Sequence, residues 1–171
     1  MKLKFTGQIR TGKLKIYEES DMENPAYTVN IETKDEEHFK MRVKNRENRI
    51  IGEVLYEEDL KRKFMMVSDY IINNLETGEK AKAKAQKGEG ISIGENKEMY
   101  LSRSMRDRKM CLYKNDELIM VLKCKTIIRN WLKGKYTAEI LDENYTSLSV
   151  CVIALALNVI YDEHNCTSLT V

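Results

Sequence analysis

The stretch of sequence that decides the fold is LSVCVIALALNVIY, residues 148–161. Almost all of its side chains are apolar, and on a helical projection they surround the axis instead of forming one stripe. One side carries Leu148, Cys151, Val152 and Leu155, and another carries Val150, Ala154, Leu157 and Tyr161. A helix that is apolar all round has to be buried. The segment therefore predicts a buried C-terminal helix, with Thr146 or Ser147 as its N-cap.

Two other structures are compatible with parts of this segment. A membrane-spanning helix needs about 20 predominantly apolar residues, whereas this run is shorter and is stopped by Asp162, Glu163 and His164. A β-strand is favoured locally by the β-branched residues, but strands average about 5–6 residues and alanine is a poor strand former. In a buried helix, Asn158 needs a hydrogen-bond partner within the core. Residues 166–171 are predicted to add one more short strand or to fray.

Before this segment the hydrophobic period is two, which is typical of strands. In residues 38–44, the apolar Phe39, Met41 and Val43 alternate with charged or polar residues. The same alternation is found at Tyr27, Val29, Ile31 and Thr33, at Leu14 with Ile16, at Ile91 with Ile93, at Met99 with Leu101, and at Tyr136 with Ala138 and Ile140. Residues 110–113 and 117–124 are predicted to form a hairpin. About ten to twelve candidate strands in succession favour an antiparallel meander or closed barrel over a parallel sheet.

The composition is typical of one globular domain covering residues 1–171. Of the 171 residues, 33% are charged and 42% are hydrophobic, which fits neither a disordered chain nor a membrane protein. Residues 1–13 lack the continuous apolar core of a secretory signal, so we expect a cytoplasmic protein. The four cysteines, Cys111, Cys124, Cys151 and Cys166, lie far apart without a CxxC motif. We therefore expect reduced, packed thiols and no zinc site.

Residues 135–161, KYTAEILDENYTSLSVCVIALALNVIY, resemble the last strand, acidic turn and core helix of the tubby C-terminal-like superfamily. This superfamily includes the plant LURP-one-related proteins, bacterial proteins of the YxjI type and, more distantly, the phospholipid scramblases. The resemblance implies a closed antiparallel barrel of about twelve strands threaded by the C-terminal helix. It also implies a binding function, since some members bind phosphoinositide head groups through exterior lysines and arginines. No family binding motif matches this sequence residue by residue.

No constellation of residues in the sequence points to an enzyme. Nucleophilic catalysis needs a base close to a serine or cysteine, and the chain has only two histidines, His38 and His164. The glycine-rich stretch at residues 88–94 lacks the helix that follows a phosphate-binding loop. We therefore expect a non-enzymatic protein without a metal ion or other cofactor.

The small net charge of +2 hides an uneven distribution of charge along the chain. Residues 17–60 are rich in Asp and Glu, and basic residues are concentrated after residue 80. The candidate residues for binding an anion or a lipid head group are Lys80, Lys82, Lys84, Lys87, Arg103, Arg106, Arg108 and Lys109. Alternate lysines on a strand place their ammonium groups on one face, about 6.6 Å apart. Such a row attracts phosphate groups, although lysines on an outer face also keep strands soluble.

The expected function is therefore the binding of an anionic ligand, such as a phospholipid head group, on a basic barrel face. The alternative is an interaction scaffold for another protein, with acidic and basic sides as complementary surfaces. Nucleic acid is not an expected ligand, because few aromatic residues are interleaved with the basic segments. Lipid binding would bring this cytoplasmic protein to the periphery of a membrane. The sequence does not indicate an oligomeric state.

Overall fold

The computed structural model describes residues 1–8, 12–34, 38–56, 67–86, 90–104, 107–124 and 136–167. Within these ranges the chain forms twelve strands, which are followed by a short 3-10 helix and a long α-helix. The strands are β1 (Lys2–Gln8), β2 (Lys13–Glu18), β3 (Tyr27–Lys34), β4 (Phe39–Asn45), β5 (Ile50–Tyr56), β6 (Val67–Asn74), β7 (Lys80–Gln86), β8 (Gly90–Ile93), β9 (Met99–Ser104), β10 (Lys109–Lys114), β11 (Glu117–Cys124) and β12 (Tyr136–Ile140). The 3-10 helix, Glu143–Tyr145, leads directly into α1 (Thr146–Thr167).

The strands form a closed antiparallel barrel in the order of the sequence. Each strand pairs with the next one, and β1 pairs with β12 to complete the circle. At this seam Leu3 lies opposite Ala138, and the amino group of Met1 donates a hydrogen bond to the carbonyl of Ile140 at 2.8 Å. A closed barrel has no free strand edges. The predicted fold class, a closed antiparallel barrel around a C-terminal helix, is confirmed.

Alternating burial along the strands shows which side chains fill the barrel. In β4, the inward-facing Phe39, Met41 and Val43 are at most 3% exposed, and the residues between them lie on the outer face. This alternation was predicted and is confirmed. In β3 the predicted alternation ends early, because the strand register shifts between Ile31 and Thr33 and leaves Thr33 exposed.

The hairpin predicted from residues 110–124 is present as β10 and β11. Its two-residue turn has positive φ angles at Asn115 (47°) and Asp116 (67°). Positive φ at both central residues is the backbone of a type I′ turn, which asparagine and aspartate tolerate better than other non-glycine residues. The strands predicted around Ile16, Ile91 and Leu101 are also present, as β2, β8 and β9.

Helix α1 runs through the barrel and forms the centre of its core. Every residue from Val150 to Leu155 is 0% exposed. Among the described residues, Glu143–Tyr161 is long and apolar enough to cross a membrane by length and composition, and 72% of the window that meets this criterion is buried inside the protein. Enclosure by strands explains why this helix is apolar on every side. The predicted buried helix is confirmed.

The helix extends beyond both predicted ends. It begins at Thr146, so Thr146 and Ser147 are helical and the predicted N-cap is wrong. Asp142 instead caps the preceding 3-10 helix, where its Oδ1 accepts a hydrogen bond from the N–H of Asn144 at 3.0 Å. At the other end the helix continues to Thr167, because glutamate and histidine do not interrupt a helix. A strand beginning at residue 166 is therefore excluded, and residues 168–171 lie outside the described part of the chain.

Asn158 is a buried polar residue within the apolar helix. It is 0% exposed, and the Lys34 ammonium donates a hydrogen bond to its Oδ1 at 2.7 Å. The same ammonium lies 5.0 Å from the ring centroid of Tyr161. Because Lys34 is the last residue of β3, its long side chain reaches the helix from the rim of the barrel. The hydrogen-bond partner that the sequence requires for Asn158 is therefore present.

Helix α1 packs closely against β5 at Gly52. A Cβ atom at this position would lie 2.3 Å from Sγ of Cys151, well inside van der Waals contact. Burial raises the pKa of the Cys151 thiol to about 12, and the nearby Glu76 carboxylate adds to the shift. Cys151 is thus a packed core residue, because a thiol becomes reactive only when it ionises.

We expect the substitution Gly52→Ala to lower the free energy of unfolding by about 1–3 kcal/mol, because the added methyl group overpacks the core. Replacing Cys151 by alanine in the same chain removes the Sγ atom and should restore part of the loss. Urea denaturation of the two single variants and the double variant measures this coupling. A double variant whose loss equals the sum of the single losses would contradict the contact.

Candidate anion-binding site

The lysines of β7 lie on the outside of the barrel, as their alternation predicts. The exposed residues are Lys80, Lys82 and Lys84, and the alternate residues of the strand face inward. Lys84 lies opposite Asp69 on β6 and Ser92 on β8. The positive charge at this end of the row is therefore partly balanced by a neighbouring carboxylate.

Two of the other candidate residues do not extend this row. Arg103 lies opposite Met110, which is 1% exposed, so both occupy inward-facing positions in the register. Arg103 borders a small cavity beside Ile160 of α1. Arg108 lies in the turn before β10, where its backbone has a φ of 53°. Neither residue is part of the exterior face of β7.

Lys109, another candidate residue, lies on the outer face of a different strand, β10, opposite Ser104. Three strand spacings separate β7 from β10, which amounts to about 14 Å across the sheet. Lys84 and Lys109 therefore do not contribute to one compact site. Lys87 and Arg106 lie outside the described residues.

The structure reveals a different basic surface, a groove in the outer wall that crosses β1, β12 and β11. Its volume is about 210 Å³. The polar side chains that line it are Lys2, Lys4, Glu19, Lys123, Thr137 and Glu139. We call this surface the basic groove. It lies at the seam where the first and last strands meet.

The strand register brings lysines from three strands into one transverse row at the basic groove. Lys4 on β1 lies opposite Thr137 on β12. Thr137 in turn lies opposite Lys123 on β11, and Lys123 lies opposite Lys109 on β10. Lys4 and Lys123 are thus two strand spacings apart, about 10 Å, with Thr137 between them. Both flexible side chains can reach a group placed above Thr137.

Only part of the positive charge at the basic groove is balanced. The Lys4 ammonium lies 3.2 Å from Oε1 of Glu19, and both side chains are partly exposed, so water weakens this ion pair. Lys2, Lys109 and Lys123 form no ion pair with any residue that the structure describes, but Lys2 lies opposite Glu139 in the register. The three lysines and two carboxylates of the groove leave a net charge of +1, and Lys109 beside the groove raises it to +2.

The described residues offer few groups for nucleophilic or metal chemistry. The free and buried cysteines are Cys111, Cys124 and Cys151, as predicted for these three. No group of three or more His, Cys, Asp or Glu in the described ranges could hold a metal ion. His38 is exposed, whereas the side chains of His164 and Cys166 lie outside the described part. The groups that the basic groove offers are ammonium groups, carboxylates and one hydroxyl.

The sequence analysis did not identify the basic groove. Lys2 and Lys4 show the same alternate spacing as the lysines of β7, and this was the available signal. Their proximity to Lys123 depends on the pairing of β1 with β12, which no local pattern reveals. Comparisons of the chain with protein-family models, curated proteins and solved structures found no match.

We expect the substitution Lys123→Gln to raise the free energy of unfolding by about 0.2–1 kcal/mol at low salt, because like charges directly opposite each other are destabilising. The gain should shrink as salt screens the repulsion from Lys109. Lys15→Gln is the matched control, since Lys15 is exposed on β2 and lies opposite Thr6 and Thr28. Urea denaturation at two salt concentrations measures both effects. A Lys123→Gln variant no more stable than the control at low salt would argue against the repulsion.

Proposed function

We propose that this chain is a non-enzymatic binding module of the tubby C-terminal-like superfamily, and that it binds a phosphate-bearing anionic group in the basic groove. The barrel of twelve strands around an apolar C-terminal helix supports the superfamily assignment, because it is the architecture that the resemblance of residues 135–161 implies. The ligand and the binding residues are inferred from the groove itself.

The observation that carries the proposal is the convergence of Lys2, Lys4 and Lys123 on one groove. Ammonium groups and the hydroxyl of Thr137 are donors that suit phosphate oxygens. The direct opposition of Lys123 and Lys109 is unfavourable in the free protein. An anion between these lysines and Lys4 would relieve the repulsion, so ligand binding accounts for an arrangement that stability alone would disfavour.

The size of the basic groove favours a compact group. Pockets for drug-sized ligands have volumes of about 300–1,000 Å³, whereas this groove measures about 210 Å³. Its position on the outer wall allows a small anionic group to enter while attached to a larger body. A phospholipid head group meets both conditions, and it would hold a cytoplasmic protein at the surface of a membrane through reversible electrostatic attraction.

Co-sedimentation with vesicles tests this function. We expect the protein to bind phosphatidylcholine vesicles that contain phosphatidylserine, to leave pure phosphatidylcholine vesicles unbound, and to dissociate from the former at high salt. A lysine near an anionic surface contributes about 1 kcal/mol. The variant Lys2→Gln/Lys4→Gln/Lys123→Gln should therefore bind on the order of 100-fold more weakly.

The matched control is the variant Lys80→Gln/Lys82→Gln/Lys84→Gln, which removes the same charge from β7 and should bind nearly as well as the wild type. Equal losses of vesicle affinity in both variants would contradict a defined site in the basic groove. A larger loss of affinity in the control would show that the site is on β7. Titration with inorganic phosphate, followed by the NMR signals of Thr137, distinguishes the source of the anion. Binding of phosphate without binding of vesicles would exclude a lipid head group, and binding of neither would refute the proposal.

A further inference from the structure

A strip of apolar side chains crosses the outer face of β9–β12, near the end of the barrel where α1 begins. It consists of Tyr100, Tyr113, Leu118 and Leu141, and we call it the apolar strip. Tyr113 lies opposite both Tyr100 and Leu118 in the register, and the two tyrosine rings stack at 4.9 Å with an angle of 15°. Leu141 follows β12, where its N–H donates to the carbonyl of Ile119 at 2.8 Å. Tyr100, Tyr113 and Leu118 are therefore neighbours in the sheet, and the backbone of Leu141 is hydrogen-bonded to the residue that follows Leu118.

The apolar strip is accessible to a binding partner. Tyr100, Leu118 and Leu141 are 36%, 38% and 52% exposed. Single exposed leucines are common in soluble proteins, but neighbouring exposed apolar residues with a polar border are typical of binding surfaces. Because the closed barrel has no free edge, a partner cannot add a strand here and has to contact the side chains directly.

Carboxylates adjoin two residues of the apolar strip along the chain. Asp116 and Glu117 immediately precede Leu118, and Asp142 and Glu143 immediately follow Leu141. Glu143 lies 3.5 Å from the amino group of Met1. Asp116 and Glu117 are exposed, and neither forms an ion pair within the described part of the chain. The rim beside the strip therefore carries two carboxylates without an ion pair, and Lys114 lies opposite Glu117 in the register.

This end of the barrel is predominantly acidic. Its six connections are residues 19–26, 46–49, 75–79, 94–98, 115–116 and 141–145. Together they contain eleven Asp and Glu against three Lys and Arg, a net charge of −8. Since the complete chain carries +2, the remaining residues carry +10. The end near the apolar strip is thus distinct in charge from the rest of the protein.

We propose that the apolar strip docks a basic amphipathic segment of a partner protein. The apolar residues of this segment would cover the strip, and its lysines or arginines would face the bordering carboxylates. Charge complementarity selects such a partner over an anionic lipid surface, which this end of the barrel repels. Three strand spacings from β9 to β12 span about 14 Å, which about nine or ten residues of a helix cover.

This docking surface does not depend on the function of the basic groove. Leu141 lies four residues beyond Thr137 along the same strand direction, a distance of about 13 Å. Both surfaces can therefore be occupied at the same time. The protein would then connect an anionic group on one side with a basic protein segment on the other.

A synthetic helical peptide with one leucine face and one lysine face is the probe, and the same peptide with glutamate in place of lysine is its charge control. We expect only the lysine peptide to bind in a fluorescence anisotropy titration. The variant Leu118→Ser/Leu141→Ser should bind it about tenfold more weakly or worse, because it loses two of the four apolar contacts. The variant Asp116→Asn/Glu117→Gln should bind several-fold more weakly and with a smaller dependence on salt.

The matched control is Met22→Ser/Leu75→Ser, which removes two side chains, 44% and 50% exposed, from other connections at the same end. It should retain full affinity, as should the groove variant Lys2→Gln/Lys4→Gln/Lys123→Gln.

Equal binding of both peptides, or equal losses in the strip and control variants, would overturn the proposal. Detection of a wild-type dimer by light scattering would also overturn it if the variant Leu118→Ser/Leu141→Ser is a monomer. The apolar strip would then bind a second copy of this chain. Strip-dependent binding to neutral vesicles would reassign the surface to lipid.

Discussion

The mutual burial of α1 and the inner faces of the strands is the interaction on which the rest of the structure depends. Barrels of about eight strands are filled by their own side chains, and wider barrels leave a lumen. With twelve strands, this barrel requires additional volume at its centre, and α1 supplies it. The requirement is reciprocal, because an entirely apolar helix needs a complete enclosure. Gly52 brings the two partners into direct contact at one point of the wall.

Filling of the interior restricts where a ligand can bind. Residues 150–155 of the helix occupy the axis with no exposure to solvent, so the centre of the barrel is not a ligand cavity. A ligand would therefore have to bind on the outer wall or at the rims. The two surfaces that we assign to ligands differ in charge. The basic groove lies on the wall at the seam of the barrel, and the apolar strip lies beside acidic connections.

The fold could be predicted from local patterns in the sequence, whereas the basic groove could not. Strand alternation and the all-round apolar helix are periodic features of short segments, and both are present in the structure. The start of the helix was missed because a 3-10 helix capped by Asp142 leads into it, and its end was missed because glutamate and histidine do not stop a helix. Arg103 was assigned to the exterior, although it follows the inward-facing Met99 and Leu101 at a spacing of two, and that spacing places it on the same side. The basic groove depends on pairing between strands from opposite ends of the chain, so no local pattern could reveal it.

The seam between β1 and β12 also bears on how the protein reaches this state as it is synthesised. The first strand of the barrel to be synthesised lacks one of its two neighbours until the last strand has been made. The helix that fills the barrel comes later still. Strand pairing can proceed from β1 to β11 by local steps, but closure is a contact of very long range, and such contacts slow folding. The nascent sheet is therefore curved, open and apolar on one side for most of its synthesis, which is the condition in which molecular chaperones are needed.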